Sequence, residues 1–251
     1  MSGHSKWSTI KRKKGLKDAR RGQAFTRLAR EISIAAREGG GDPESNFALR
    51  LAMDRARAEN MPNDNIERAI RRGTGEDKEG GAIEQVTYEG FGPHGVTFMI
   101  ECLTDNRNRT VSDLRHVLTR FGGGLGESGS VGWQFARVAF FAFSAKGRSE
   151  DEIYELAIEA GADDVWYEDG EVEITGPVES FKRIGDALRK AGIEVHDAGL
   201  RMQAKQEIEL GPEETLQVMR VIEALEEQDD VQNIAYNLKI SDEALAQISP
   251  A

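Results

Sequence analysis

Apolar residues recur at helical spacing from Ala19 onward: Phe25, Leu28, Ile32 and Ala35 share one face, and Gly39-Gly40-Gly41 marks the stop. A second helix is predicted from about Pro43, a residue suited to a first helical turn, through Leu51, Ala52 and Ala56 to Glu59. A third follows Asn63 as N-cap, buries Ile66, Ala69 and Ile70, and ends at Gly73. The stretch GTGEDKEGG, Gly73 to Gly81, carries four glycines and no apolar residue, which marks a linker or hinge.

Beyond that stretch the period changes. IEQVTYEG and VTFMIECL read as strands joined through the turn-rich GFGPHG. A helix follows with Val111, Leu114, Leu118 and Phe121 on one side, started by Thr110 with Asp113 three residues later, as in a capping box. After the glycine-rich FGGGLGESGS comes a strand, SVGWQFA. From Arg137 the predicted order is strand (VAFFAF), helix (Glu150 to Ala160), strand (DVWYE), strand (EVEIT), helix (Pro177 to Lys190) and strand (IEVHD), the βαββαβ order of a ferredoxin-like unit. The remaining strand RMQAKQEIEL, helix Pro212 to Glu227 and strand IAYNLKI are too few to stand alone, so they are expected to return to the sheet begun before residue 135. The fold expected is α+β and multidomain. Residues 1–80 supply a basic arm, three helices and a linker; 81–135 with 200–251 form a discontinuous α+β domain; and 136–199 form a ferredoxin-like insertion.

Composition narrows the class. A 251-residue chain that is 39% hydrophobic and 31% charged has the make-up of a polar globular protein. No apolar run is long enough to span a membrane, and no apolar block follows the basic start as a secretory signal requires. A cytoplasmic location is expected. The single Cys102 excludes an internal disulfide framework and, within the run Val96 to Leu103, reads as a small core residue.

Charge is unevenly distributed. The first 22 residues hold eight Lys and Arg against Asp18 alone, in a chain of net charge −11. Through Gly75 there are 17 basic and nine acidic residues, a balance of +8; the remainder carries −19. Lys6, Lys11, Arg12, Lys13, Lys14, Lys17, Arg20 and Arg21 are too dense to neutralise one another, and nucleic-acid phosphate is the natural counter-anion; a merely solubilising tail is the bland alternative. Trp7 amid this charge has two readings, stacking on a base or anchoring the arm to its own domain. In TDNRNRT, Arg107 and Arg109 stand at a helix start, where the macrodipole favours anions, which suggests a phosphate or acidic partner or simple surface placement. Conversely, twelve acids and no Lys or Arg occur from Glu150 to Glu179, a face expected to avoid nucleic acid or to meet a basic protein.

Catalytic patterns are weak. Gly124-Leu-Gly126-Glu-Ser-Gly129 matches G-x-G-x-x-G, but a dinucleotide site needs a strand before it and a helix after it, and here the predicted order is reversed. His4, His94, His116 and His196 show no ligand spacing. The neighbouring pairs Asp163-Asp164 and Asp229-Asp230 read as solvated turns, since adjacent residues point to opposite sides. No enzyme activity, cofactor or metal is expected.

Gly3-His4-Ser5-Lys6-Trp7, AREGGGDPESN, RARAENMPNDNIERAIRRGTGE, YEGFGPHGV, TDNRNRT, GGGLGESGSVGWQF and DDVQNIAYN together resemble the YebC/PmpR family of bacterial regulatory proteins, nearly end to end. Mitochondrial relatives of that family activate translation of a cytochrome oxidase subunit. The resemblance implies an N-terminal helical domain, two α+β domains with one inserted in the other, and a nucleic-acid-linked role in gene expression without catalysis. Two roles follow from it: a DNA-binding transcriptional regulator, or a ribosome-associated factor that binds ribosomal RNA and relieves stalling at stretches such as polyproline. One departure stands out, Val138-Ala139 where members commonly carry Lys-Gly, and it puts any contact of that lysine in doubt. The motif begins almost at Met1, without a mitochondrial presequence ahead of it, so a bacterial, cytoplasmic member is expected.

Overall fold

The computed structural model describes residues 21–77 and 83–240. Three helices come first, α1 (Arg21–Gly39), α2 (Phe47–Ala58) and α3 (Asn63–Thr74). Their core is Ile32, Ala35, Ala36, Leu49, Ala52, Met53, Ala56, Met61, Ile66 and Ala69. Small residues meet where α1 and α3 touch at Ser33, Ala36 and Gly73. A Cβ on Gly73 would lie 2.8 Å from Ala36 Cβ and inside contact distance of the Ser33 carbonyl oxygen. That explains why Gly73 is inside α3 rather than ending it: the helix runs on to Thr74 and closes on Gly75 in the left-handed conformation, φ 80°. The second helix also departs from expectation. It starts at Phe47, not near Pro43, because Asn46 caps it: the Asn46 side chain accepts from the Leu49 N–H and donates to the Ala35 and Gly40 carbonyls.

A four-stranded sheet follows, of order β3-β1-β2-β9, from β1 (Glu84–Phe91), β2 (Thr97–Thr104), β3 (Gly124–Leu125) and β9 (Val231–Tyr236). β1 pairs antiparallel with β2 from Glu84↔Thr104 to Phe91↔Thr97, and β2 pairs antiparallel with β9. The helices α4 (Arg107–Arg120) and α7 (Pro212–Glu226) cover it through Leu114, Val117, Leu118, Val218, Val221, Ile222 and Leu225, packed on Phe98, Ile100, Cys102 and Ile234. Cys102 is fully buried, and burial pushes its thiol up to about 12. α4 begins three residues earlier than Thr110, capped by the Asn106 side chain on the Arg109 N–H; Thr110 is a buried helical residue instead. SVGWQFA is not a strand throughout, because a 3-10 turn at Gly132–Gln134 precedes β4.

The second compact unit is Arg137–Met202, and the chain up to Ala136 and from Gln203 onward makes the first. The second is a ferredoxin-like sheet of order β5-β6-β4-β7, from β4 (Phe135–Ser144), β5 (Asp164–Glu168), β6 (Glu171–Gly176) and β7 (Val195–Ala204), with helices α5 (Glu150–Glu159) and α6 (Phe181–Lys190). β7 is one continuous strand where the sequence suggested two. Phe141, Phe143, Ile153, Ile174, Ile184 and Leu188 form its interior, and Phe141 stacks on Phe181 at 4.9 Å. Three of the acids in the 150–179 stretch, Glu150, Asp151 and Glu152, occupy the first turn of α5, where the helix dipole favours them. Short strands β8 (Ile208–Glu209) and β10 (Leu238–Lys239) pair parallel in the first unit.

Candidate functional site

Helix α1 has two working faces. At about 100° per residue, Arg27, Arg30, Ile34 and Arg37 fall within roughly 80° of one another, while Leu28, Ile32 and Ala35 turn toward α2 and α3. The first face meets the β-sheet part of the same unit. Ile34 packs with Ile83 and Leu103, and Arg37 donates to the Ile83 carbonyl at 2.5 Å. Arg27 donates to the carbonyls of Glu226, at the end of α7, and Gln232, both at 3.2 Å. α7 has no basic residue in its last turn, so Arg27 supplies the cation its C-terminal carbonyls favour. Gln232 is the extra residue of a β-bulge, between Val231 opposite Cys102 and Asn233 opposite Glu101.

Asp230 is the centre of this contact. It is 5% exposed, and its carboxylate accepts from the hydroxyls of Thr110 (2.6 Å) and Thr104 (3.1 Å) and from Arg109 Nη2 (3.0 Å). Arg30 Nη1 stands 2.8 Å from the other side of the same carboxylate and also donates to the Asp229 carbonyl at 2.6 Å. Burial alone would raise the Asp230 carboxyl. The Thr110 and Arg109 hydrogen bonds and the charges of Arg30 and Arg109 outweigh it and hold the group below the usual aspartate range. An open pocket of about 420 Å³ adjoins the cluster, lined among others by Arg30, Arg109, Asp113, Glu227 and Asp229. With every Asp230 lone pair engaged by fixed donors, the arrangement is suited to holding elements together rather than to moving a proton.

Of the residues singled out from sequence, Lys6, Trp7, Lys11, Arg12, Lys13, Lys14, Lys17 and Arg20 lie outside the described residues, and Arg21 opens α1. Arg107 and Arg109 do stand on the first turn of α4, but each has acids of its own chain: Arg107 Nε donates to Glu84 at 2.6 Å, and Arg109 bridges Asp105 and Asp230. The reading of Asp229-Asp230 as a solvated turn holds for Asp229, which is exposed in a turn, and is corrected for Asp230: it lies in the same turn but is buried among donors from positions 30, 104, 109 and 110. Chain-neighbour patterns carry no trace of donors so remote. The stripe Arg27, Arg30, Arg37 was legible in spacing and was missed.

The glycine-rich loop is built around an internal anion. The Glu89 carboxylate accepts from the backbone N–H groups of Gly129 and Val131, each at 2.6 Å, and of Gly132 at 2.8 Å. Burial would raise its carboxyl, but those three N–H groups and the Ser130 hydroxyl lower it overall. Immediately after this cradle stands Trp133, 69% exposed. Among the described residues no group of three or more His, Cys, Asp or Glu is placed to hold a metal ion, and no helix is long and apolar enough to cross a membrane.

Comparison with known proteins gives a consistent set. The model of the TACO1/YebC protein N-terminal domain matches residues 5–76, and that of the TACO1/YebC second and third domain matches residues 83–238. A protein of Rubrobacter xylanophilus named probable transcriptional regulatory protein is 49% identical over 249 residues, 99% of this chain and 100% of its own length. One of the same name from Acidithiobacillus ferrooxidans is 50% identical over 248 residues, 99% of this chain and 98% of its own. The crystal structure of a conserved hypothetical protein from Aquifex aeolicus superposes with a TM-score of 0.83 at 42% identity, covering 91% of this chain and 94% of that one.

Proposed function

Because the chain belongs to the TACO1/YebC family, we propose that it is a non-enzymatic, nucleic-acid-binding regulator of gene expression that acts on duplex DNA. The observation that carries this reading is the basic arm: eight Lys and Arg against one acid in the first 22 residues of a chain with net charge −11. The printed names of its relatives support a regulatory role. The anchoring of α1 supports a directed use of the arm. Arg27 is six residues, about 9 Å of helix, from Arg21, so the first turn of α1 starts within about 9 Å of helix from its anchor on α7.

The contact residues we assign are Lys6, Trp7, Lys11, Arg12, Lys13, Lys14, Lys17, Arg20 and Arg21, with Arg107 and Arg109 at the start of α4 as a secondary site. A three-part division suits this reading, with 1–80 as the contacting part, 81–135 with 200–251 as its support and 136–199 as an insertion. The separate cores of the three helices and of the four-stranded sheet support that division.

The test is a salt titration of binding to promoter-length duplex DNA and, in parallel, to intact ribosomes. Replacing Lys11, Arg12, Lys13, Lys14 and Lys17 by Ala is expected to weaken duplex binding and to flatten the slope of log K against log salt by about 0.9 for each lost phosphate contact. An unchanged slope removes the arm from the mechanism. Arm-dependent ribosome binding that survives physiological salt, with duplex binding weak, replaces the transcriptional reading with the translational one.

A further inference from the structure

We propose that Trp133 is a stacking platform for an unpaired nucleobase, a second contact that rests on the nucleic-acid reading above. Exposed tryptophan is uncommon, since its large ring is highly buried on average. Here the exposure is imposed. Val131 and Phe135 on either side are buried anchors, and Trp133 between them sits on a 3-10 turn that turns its ring outward. The indole N–H donates to the Ser130 carbonyl at 3.1 Å, which fixes the ring and leaves its faces, not its polar edge, for a ligand. The supporting loop is fixed in turn by the three N–H bonds to Glu89 and by the Gly126 N–H on the Glu89 carbonyl at 2.8 Å.

A cation stands at the same place. Lys205, exposed, donates from Nζ to the Trp133 carbonyl at 2.8 Å, and its backbone N–H donates to the Gln134 carbonyl. An exposed aromatic ring with an ammonium on the same residue's backbone carbonyl offers a base and its 5′ or 3′ phosphate the two contacts of sequence-tolerant single-strand binding. A protein partner would need a contiguous apolar patch around its anchor, whereas the exposed residues that precede it in the loop, Glu127, Ser128 and Gly129, are polar or small, and the exposed Phe91 lies against Gly126. A closed duplex hides its base faces, so the ligand is an unpaired base of RNA or of opened DNA.

The test uses the full chain with Trp7→Phe and Trp166→Phe, which leaves Trp133 as the one indole, titrated with oligo(dT) and oligo(rU) of about 12 nucleotides and with a matching duplex. Quenching of its emission by the single strands and not by the duplex is expected, and the stronger of the two strands identifies the source as DNA or RNA. In the otherwise native chain, Trp133→Ala is expected to bind single strands about five- to tenfold more weakly with an unchanged salt slope, and Trp133→Phe to keep most of the affinity. If Trp133→Ala binds as tightly as the native chain while the arm variant is weakened, the stacking site is overturned and the regulatory reading survives. If the native chain binds neither strand nor duplex, both fall.

Discussion

Asp230 keeps a negative charge almost out of water, which costs several kcal/mol unless fixed donors offset it. Removing the carboxylate takes the counter-charge from the largely buried Arg30, which keeps only the Asp229 carbonyl, and an acceptor from both threonines, so Asp230→Ala is expected to destabilise the chain by about 3 to 5 kcal/mol in urea unfolding. Arg109→Ala, whose side chain is 45% exposed, should cost about 1 kcal/mol or less. Equal costs for the two would deny Asp230 its central position. The pH dependence follows from the direction of its shift. The folded value lies below the unfolded one of about 3.9, so the stabilisation is complete above that pH and is lost as pH falls through the folded value. Asp230→Asn should therefore have a shallower acid limb than the native chain, and superimposable limbs would assign the acid loss to other carboxyls. Little of this was legible: Asp229-Asp230 is a turn, as its sequence suggests, but the burial of Asp230 was hidden because its partners are over 100 residues away, whereas Cys102, inside an apolar run, was identifiable as core at once.

At the level of elements the sequence was read most accurately where one pattern sufficed. β6 follows from alternation, β2 from a near-continuous apolar run, and β1 and β5 from β-branched and aromatic residues bounded by turn residues; the ferredoxin-like order follows from the sequence of elements. Errors fell at ends, where a tertiary contact outranks a local signal. Pro43 lost to Asn46, which serves two helices at once, and Gly73 looked like a stop although its role is to let α1 approach α3. Gly73→Ala should consequently lower stability by about 1 to 3 kcal/mol, as overpacking does, and more than Gly75→Ala, where a left-handed φ of 80° costs about 1 kcal/mol. Thermal melts of the two variants compare them directly. A harmless Gly73→Ala would mean that the helices part easily.

Taken as a whole, the chain separates charge: a basic start, then a body that carries −19 beyond Gly75. If six to eight arm cations each meet a phosphate, the salt slope of the native chain on duplex DNA should approach about −5 to −7, while the body keeps the rest of the polyanion at a distance. A slope near −1 would mean that the arm lies idle. That separation was legible from residue counts alone; the docking of α1 on the sheet was not, because it depends on carbonyls at Glu226, Asp229 and Gln232. The ferredoxin-like unit adds a different kind of freedom. The chain passes into it through β4 and out through β7, and those two strands are neighbours in one sheet. A segment whose two ends lie side by side can be lengthened, replaced or closed with a short turn while the flanking sequence keeps its path. Natural variation could therefore accumulate there cheaply, and the same junction is where an engineer could graft a reporter domain without redesigning the remainder.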